Sequence, residues 1–178
     1  LHLGKKVSIN LKPAEADTGI IFKRTDIKNN NEIKANYNNV SSAKLCTKLE
    51  NDHGVSVSTI EHLMAALYIC GVDNLIVQID GGEIPIMDGS SIEFVEKIKK
   101  TGLKTLDKNR KFIKIIKKID LKLQDKSISI EPSADSLKVA FTLSYENSPL
   151  IKSQTNCVDF KNKNLENIYS ARTFCLYE

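Results

Sequence analysis

The fold of this chain is decided by residues 58–80, STIEHLMAALYICGVDNLIVQID, where the hydrophobic pattern changes from helical to strand periodicity. The apolar residues of the first part recur at the spacing of one helix face: Leu63, Ala66, Leu67 and Cys70. Gly71 follows directly, and glycine is typical of the position that ends a helix. Leu75–Val77 is an apolar run that suits a buried strand. The segment therefore predicts a helix over 58–70 and a strand over 73–80.

The first turn of this predicted helix carries an acid beside an imidazole, Glu61 and His62. Ser58 lies three residues before Glu61, which is the spacing of a capping box. The unpaired N–H groups and the positive dipole end of a helix favour an ionised carboxylate or a bound anion at this place. Taken alone, the pair fits a structural role better than a catalytic one, with Glu61 capping the helix and His62 on the surface.

Strands are predicted upstream of the helix. Lys5–Lys12 and Thr18–Arg24 are short runs rich in β-branched residues, separated by the turn-like segment 13–17, and they predict a pair of strands joined by that turn. Ile33–Leu49 alternates loosely between apolar and polar residues, which indicates a small strand insertion. The chain therefore opens as a sheet.

A second helix is predicted after Ser90, because Ser90 and Glu93 repeat the capping-box spacing and an apolar stripe follows them as far as Gly102. The block between the two helices, Glu83–Ser90, contains turn residues, so Asp88 is expected to hold a loop rather than to perform catalysis. Residues 101–110 are polar and lysine-rich, which indicates a domain boundary. The predicted domains are residues 1–104 and 105–178.

The second half again begins with strands, predicted over Lys111–Leu123, Lys126–Glu131 and Leu137–Glu146. Leu165–Ala171 has helical composition. Both halves thus run from strands to a helix, which predicts an α+β protein made of two similar two-layer sandwich domains, the second incomplete in this chain.

Composition excludes several classes of function. The chain has 178 residues, of which 41% are hydrophobic, and its apolar runs are too short to cross a bilayer. No signal peptide is visible. The net charge of +4 comes from an excess of lysine over residues 97–122, which is typical of a solvated face, with an anionic ligand or a transient association with a membrane surface as the open alternatives. Nucleic acid is not expected as a partner, because only Phe112 is interleaved with these basic residues.

The cysteines point to a reducing compartment. The four of them, Cys46, Cys70, Cys157 and Cys175, show no CxxC pairing and no disulfide-dense spacing. The sequence therefore predicts a cytoplasmic protein without a structural zinc knuckle, and we expect it to be a monomer.

The order and spacing of several blocks closely resemble those of the UDP-3-O-acyl-N-acetylglucosamine deacetylase family, the zinc enzymes of lipid A synthesis in Gram-negative bacteria. The blocks that carry the resemblance, which spans nearly the whole chain, are LHLGKK at 1–6, ADTGI at 16–20, LCT at 45–47, STIEHLMAAL at 58–67, GVDNL at 71–75, EIPIMDGS at 83–90 and ARTF at 171–174. The resemblance implies two α+β sandwich domains with the active site between their layers, Zn²⁺ as cofactor and UDP-3-O-acyl-N-acetylglucosamine as substrate.

The resemblance also implies roles for single residues. His62 falls on a zinc ligand, and Glu61 falls on the general base that takes a proton from zinc-bound water. Thr173 falls on the threonine that hydrogen-bonds the developing oxyanion, although taken alone it is an ordinary strand-forming residue.

Three further residues are expected at the substrate. Phe174 would line the sugar or acyl region, or belong to the core. Cys46 falls near the metal, where a buried small apolar residue explains it equally well. His2 falls near the active site, with an exposed terminal histidine as the alternative.

The chain departs from the family pattern after the ARTF block. The family's second and third zinc ligands, a His and an Asp four residues apart on a helix, have no match, since no His follows His62. The second catalytic histidine and the insertion that forms the acyl passage are also unmatched. His2 and His53 are not expected to complete the metal site, and no ligand-like spacing links His53 to His62. We therefore expect the chain to be truncated at both ends and inactive alone.

The sequence leaves two other functions open. The first is a catalytically silent domain that acts as a binding or structural module. The second and weaker one is an RNA-binding α+β domain that uses the basic stretch, which would show strongly salt-dependent binding.

Overall fold

A computed structural model describes residues 3–145, 151–162 and 165–173. The described chain forms two compact units. Unit 1 contains the described residues of 1–110 and 166–178, and unit 2 contains those of 111–165. Helices and sheets are mixed along the chain, which confirms the predicted α+β class. The predicted division into domains after residue 104 stays a prediction.

Unit 1 is built on a four-stranded sheet. The strands of this unit are β1 (Ile9–Pro13), β2 (Ile20–Arg24), β3 (Glu32–Lys34), β4 (Val40–Ser42), β5 (Lys48–Glu50), β6 (Ser56–Val57) and β7 (Leu75–Ile79). The main sheet has the order β1-β7-β2-β3, and β4-β5-β6 form a separate small antiparallel sheet. The small sheet confirms the predicted strand insertion.

The predicted pairing of the first two strands is wrong, because β7 lies between them. It pairs antiparallel with β1, where Leu11 is opposite Val77, and parallel with β2, where Phe22 is opposite Val77. Leu75, Val77 and Ile79 of β7 are all buried, whereas β1 carries exposed polar residues at alternate positions. The most apolar strand therefore takes the central position, and the more polar β1 becomes an edge.

Two helices cover the sheet, α1 (Glu61–Cys70) and α2 (Ile92–Thr101). They share one core with the sheet, whose fully or nearly fully buried members include Phe22, Leu63, Leu67, Val77, Phe94 and Val95. Gly71 ends α1 in the left-handed conformation with φ of 73°, as the sequence predicts.

The two predicted capping boxes are wrong in detail. Helix α1 begins at Glu61, and its N-cap, Ile60, makes no side-chain capping bond. The Ser58 hydroxyl instead donates to the Gly82 carbonyl oxygen at 3.2 Å, because residues 58 and 83 are joined by a parallel β-bridge. At α2 the N-cap is Ser91, again without a side-chain capping bond, and the Ser90 hydroxyl oxygen accepts the N–H of Ile92 at 3.2 Å.

Unit 2 consists of two β-hairpins. The strands are β8 (Ile119–Leu123), β9 (Lys126–Ile130), β10 (Lys138–Tyr145) and β11 (Lys152–Asp159), and β8 pairs with β9 and β10 with β11. The sequence predicts the first three, with the first starting later than expected, and misses β11. One face of β8–β9 carries five exposed apolar side chains, Ile119, Leu121, Leu123, Ile128 and Ile130, with Lys126 opposite Leu123.

The last described helix, α3 (Glu166–Tyr169), belongs to unit 1 and matches the helical composition of residues 165–171. No helix within the described residues has the length and the hydropathy that crossing a membrane requires.

Candidate active site

Glu61 is the first residue of α1, and its carboxylate holds a neighbouring loop. Its Oε2 atom accepts the backbone N–H of Thr47 at 3.0 Å, and the residue is half-buried. The Ile60 N–H points to the Thr47 carbonyl oxygen at 3.5 Å, so the loop and the helix start are joined in both directions. Glu61 therefore has a structural role, and the carboxylate has a fixed orientation.

Thr59 sets the direction in which the chain enters α1. Its φ of 57° lies in the left-handed region, which is uncommon for a β-branched residue, and only 1% of its surface is exposed. Its hydroxyl donates to Oε1 of Glu83 at 3.0 Å. Sequence reasoning missed both residues, because the feature that marks them is a backbone angle and a contact 24 positions apart in the chain.

His62 follows Glu61 on the helix and is half-buried. Consecutive helical residues point about 100° apart, so the carboxylate and the imidazole leave the helix in different directions. The His62 carbonyl oxygen accepts the hydroxyl of Ser91 at 2.9 Å. This bond ties the first turn of α1 to the N-terminus of α2.

A loop of four residues, Asp88–Ser91, is called here the DGSS loop. Within it, Asp88 Oδ1 accepts the Ser90 hydroxyl at 2.6 Å and the Ser90 N–H at 3.0 Å, and Asp88 Oδ2 accepts Nε of Arg172 at 3.2 Å. The Ser90 donors, followed by the Arg172 guanidinium, hold the pKa of Asp88 below its usual range. The expected loop-holding role of Asp88 is confirmed.

Thr173 is held by the same loop. Its N–H donates to the Gly89 carbonyl oxygen at 2.9 Å, and the Ser91 N–H donates to the carbonyl oxygen of Tyr169 at 2.9 Å. Gly89 has φ of +88°, and a Cβ atom placed on it would lie 3.8 Å from Thr173 Cγ2. The DGSS loop therefore bonds to the backbone at His62 on one side and to the backbone at Thr173 on the other.

Comparison with known proteins shows the family of the chain. The sequence model of the UDP-3-O-acyl N-acetylglycosamine deacetylase family matches residues 1–178. The chain belongs to the UDP-3-O-acyl-N-acetylglucosamine deacetylase family. It is 42% identical over 175 residues to the protein of that name from Geotalea uraniireducens (strain Rf4), with 98% of this chain and 56% of the relative covered. The identity is 43% to the relative from Citrifermentans bemidjiense, with 98% and 56% covered, and 41% to that from Colwellia psychrerythraea, with 98% and 57% covered.

The chain spans a little over half the length of these relatives. Of the six site residues that the resemblance to the deacetylase family implies, the structure describes four. Glu61 and His62 are adjacent on α1, Cys46 is half-buried beside Thr47, and Thr173 is exposed. His2 and Phe174 lie outside the described residues. The catalytic, substrate and metal roles of all six stay predictions.

The described residues do not by themselves fit a zinc ion. A catalytic zinc takes three protein ligands. His62 is the one candidate that the resemblance supplies, and the described parts of the chain contain no group of three or more His, Cys, Asp or Glu side chains that could hold a metal. In a deacetylase of this family the other ligands would therefore have to come from outside the described residues.

A polar groove of about 570 Å³ is lined by other residues of unit 1, including Lys34, Asp52 and His53. The amide of Asn51, which also lines it, donates to the backbone carbonyl oxygens of Asn30 and Glu32 at 2.7 and 3.0 Å. None of the site residues implied by the family borders this groove. The polar residues that line the groove therefore have a structural role in the turn around Asn51.

Proposed function

We propose that this chain supplies part of the active site of a zinc-dependent N-deacetylase in lipid A biosynthesis. The reaction would be hydrolysis of the N-acetyl group of UDP-3-O-acyl-N-acetylglucosamine, releasing acetate. The observation that carries the proposal is the DGSS loop, which bonds to the chain at His62 and at Thr173 and so joins the Glu–His pair to the ARTF segment. Membership of the family supplies the reaction class.

Amide hydrolysis sets three chemical requirements. A water molecule must lose a proton as it attacks the acetyl carbon, the resulting oxyanion must be stabilised, and the amine must gain a proton as the C–N bond breaks. In our proposal the Glu61 carboxylate accepts the proton of the water, and the Thr173 hydroxyl donates a hydrogen bond to the oxyanion. The proton that the amine gains as the C–N bond breaks would come from an acid outside the described residues. The bond from the Thr47 N–H restricts the Glu61 side chain, which favours a defined position for the accepting oxygen.

Zinc is part of the proposal with His62 as one ligand, and two further ligands would come from outside the described residues. Because no His follows His62 in the sequence to match the second histidine ligand of the family, we expect the purified 178-residue chain to retain no zinc after dialysis against metal-free buffer. Near-stoichiometric zinc in elemental analysis would show that this chain completes a metal site around His62, contrary to this expectation.

A chimera tests the activity directly. The part of the Geotalea relative that follows the matched region is joined to this chain, and acetate release from UDP-3-O-acyl-N-acetylglucosamine is measured. We expect the chimera to bind zinc and release acetate, and a Glu61→Gln chimera to keep zinc but lose activity by about 100-fold or more. A folded, zinc-loaded chimera without activity would exclude the deacetylase role and favour a silent binding module.

We further propose that the chain is a cytoplasmic monomer that makes at most transient contact with membrane surfaces and does not bind nucleic acid. Support comes from the absence of disulfide-like cysteine spacing and from the basic stretch, in which Phe112 is the only aromatic residue. Gel filtration with light scattering tests the monomer, and retention on immobilised RNA at low salt would contradict the last point.

A further inference from the structure

Glu83 is a buried acid that the proposed chemistry does not use. Only 4% of its surface is exposed. Removing an ionised carboxylate from water costs several kcal/mol unless hydrogen bonds or charges compensate. The hydrogen-bond donors of a buried carboxylate therefore fix its position, and they identify the segments of the chain that it joins.

The two carboxylate oxygens of Glu83 bind two separate parts of the chain. Oε1 accepts the Thr59 hydroxyl at 3.0 Å, and Oε2 accepts the backbone N–H of Leu3 at 2.8 Å. Leu3 lies 80 positions away and directly follows His2 in the sequence. One carboxylate thus joins the amino-terminal segment to the residue that precedes the start of α1.

The backbone of Glu83 is fixed as well. Residues 58 and 83 form a parallel bridge, in which the Ser58 N–H donates to the Gly82 carbonyl oxygen and the Ile84 N–H donates to the Ser58 carbonyl oxygen, both at 3.0 Å. The Glu83 side chain therefore extends from a hydrogen-bonded, strand-like segment that runs beside Ser58.

Thr59 is the residue that needs such support. A left-handed backbone conformation costs roughly 1–2 kcal/mol for a residue other than glycine, and it persists where the surroundings impose it. The hydroxyl bond to Glu83 is one such constraint. Glu61 begins α1 two residues later, so the backbone of Thr59 sets the direction in which the Glu61 and His62 side chains start.

We propose that Glu83 is a positioning residue for the Glu61–His62 pair. It holds Thr59 in the left-handed conformation and holds the amino-terminal segment at Leu3 against the same carboxylate. The effect on catalysis rests on the proposed deacetylase function, whereas the effect on the geometry of the α1 start does not.

The first experiment uses the 178-residue chain and needs no activity. Amide hydrogen exchange is followed by NMR in the unaltered chain, Glu83→Ala, Glu83→Gln and Glu96→Ala, which removes an exposed acid from α2 as the control. The informative amides are Leu3, which donates to Glu83, and Thr47, which donates to Glu61. We expect Glu83→Ala to accelerate exchange at both by about tenfold or more, which corresponds to the loss of about 1.4 kcal/mol of local stability.

The Glu83→Gln variant distinguishes the effect of the hydrogen bonds from the effect of the acidic group. Its amide oxygen can accept the Leu3 N–H while its NH₂ group donates to the Thr59 hydroxyl oxygen. We therefore expect Glu83→Gln to restore slow exchange at Thr47, and Glu96→Ala to leave both amides unchanged. Unchanged exchange at Thr47 in a folded Glu83→Ala chain would overturn the proposal, as would equal acceleration in Glu83→Gln.

The second experiment measures catalysis in the chimera described above. We expect Glu83→Ala to lower kcat by up to about 100-fold with KM nearly unchanged, because a displaced base affects the transition state more than substrate binding. Glu83→Gln should recover most of kcat. A folded Glu83→Ala chimera with unaltered kcat would contradict the positioning role. A chimera that is inactive without any substitution at Glu83 would contradict only the deacetylase function.

Should Glu83→Ala fail to fold, Thr59→Val provides the same test, because it removes one hydroxyl and keeps the β-branched shape. We expect it to accelerate exchange at the Thr47 amide and to leave the Leu3 amide slow. Slow exchange at Thr47 in this variant would show that the hydroxyl bond does not hold the α1 start.

Discussion

Replacing Glu61 by alanine should destabilise unit 1 although the residue is proposed to act in catalysis. The change removes the acceptor of the Thr47 N–H, a charge-assisted bond of 3.0 Å. Hydrogen bonds to charged groups contribute about 1.5–3 kcal/mol to stability. The change also removes an acid from the first turn of α1, where the helix dipole contributes about 0.3–1 kcal/mol. We expect Glu61→Ala to lower the free energy of unfolding by about 2–4 kcal/mol.

Glu93 offers a matched control, since it occupies the first turn of α2. Its carboxylate lies 3.7 Å from Nζ of Lys97 on the same helix, and the lysine is largely exposed. Glu93→Ala should therefore lose only the dipole interaction and an exposed pair, together about 0.5–1.5 kcal/mol. The excess cost at Glu61, about 1.5–3 kcal/mol, measures the bond to the loop at Thr47.

Urea unfolding followed by circular dichroism is the assay, because the described helices all belong to unit 1 and their signal reports on that unit. Glu61→Gln should cost about half as much as the alanine change, since an amide oxygen still accepts the Thr47 N–H without the charge. If Glu61→Ala were no more costly than Glu93→Ala, the bond to Thr47 would not contribute to stability and the structural role of Glu61 would be refuted.

Three further predictions concern unit 1 and the cysteines. Gly71→Ala should cost roughly 1–2 kcal/mol in urea unfolding, because φ is 73° there, and an equally stable variant would contradict this. The Ser90 donors hold the pKa of Asp88 below its usual range, so the ionised Asp88 stabilises the fold fully above about pH 4, and this contribution is lost as the pH falls through the lower pKa of the folded state. Asp88→Asn should therefore flatten the acid dependence of the unfolding temperature, and an unchanged pH profile would refute the contribution of Asp88. Burial raises the pKa of the Cys70 thiol, whereas Cys157 is exposed, so Ellman's reagent should modify Cys157 faster than Cys70, and equal rates at the two thiols would contradict the difference.

The helices and the central strand could be predicted because their side-chain periods are strong and local. The pattern of residues 58–80 gives α1 and β7 with small shifts at the ends, and Gly71 marks the helix end correctly. Strand order could not be obtained in the same way. The turn between β1 and β2 favours a hairpin, but β7, whose Leu75, Val77 and Ile79 are buried, takes the place beside β2.

The sequence does not predict strand β11, for a related reason. Its sequence, KSQTNCVD, is mostly polar, and it is a strand because each residue pairs with one of β10. Its partner residues include Asn156 opposite Phe141 and Gln154 opposite Leu143. Propensity is a weak guide where a strand depends on its neighbour for most of its stability.

The candidate site shows the same division between local and long-range information. The residue types and the family blocks identify Glu61, His62 and Thr173 as candidates. They do not reveal that Ser58 pairs with the segment around Glu83, which removes it from the capping role, or that Thr59 adopts a left-handed conformation. Those features depend on contacts between distant segments, which no single stretch of sequence encodes.

The structural and the catalytic interpretations of Glu61 are compatible. A carboxylate has two oxygens, and the Thr47 N–H uses Oε2, whereas Oε1 receives no hydrogen bond from the described residues. A general base must also be held in place to accept a proton efficiently, since an unrestrained side chain loses the benefit of preorganisation. The bond that makes Glu61 structural is therefore the one that would make it an effective base. Alanine at this position removes both functions together, so glutamine, which keeps the acceptor and loses the basicity, is the substitution that distinguishes them.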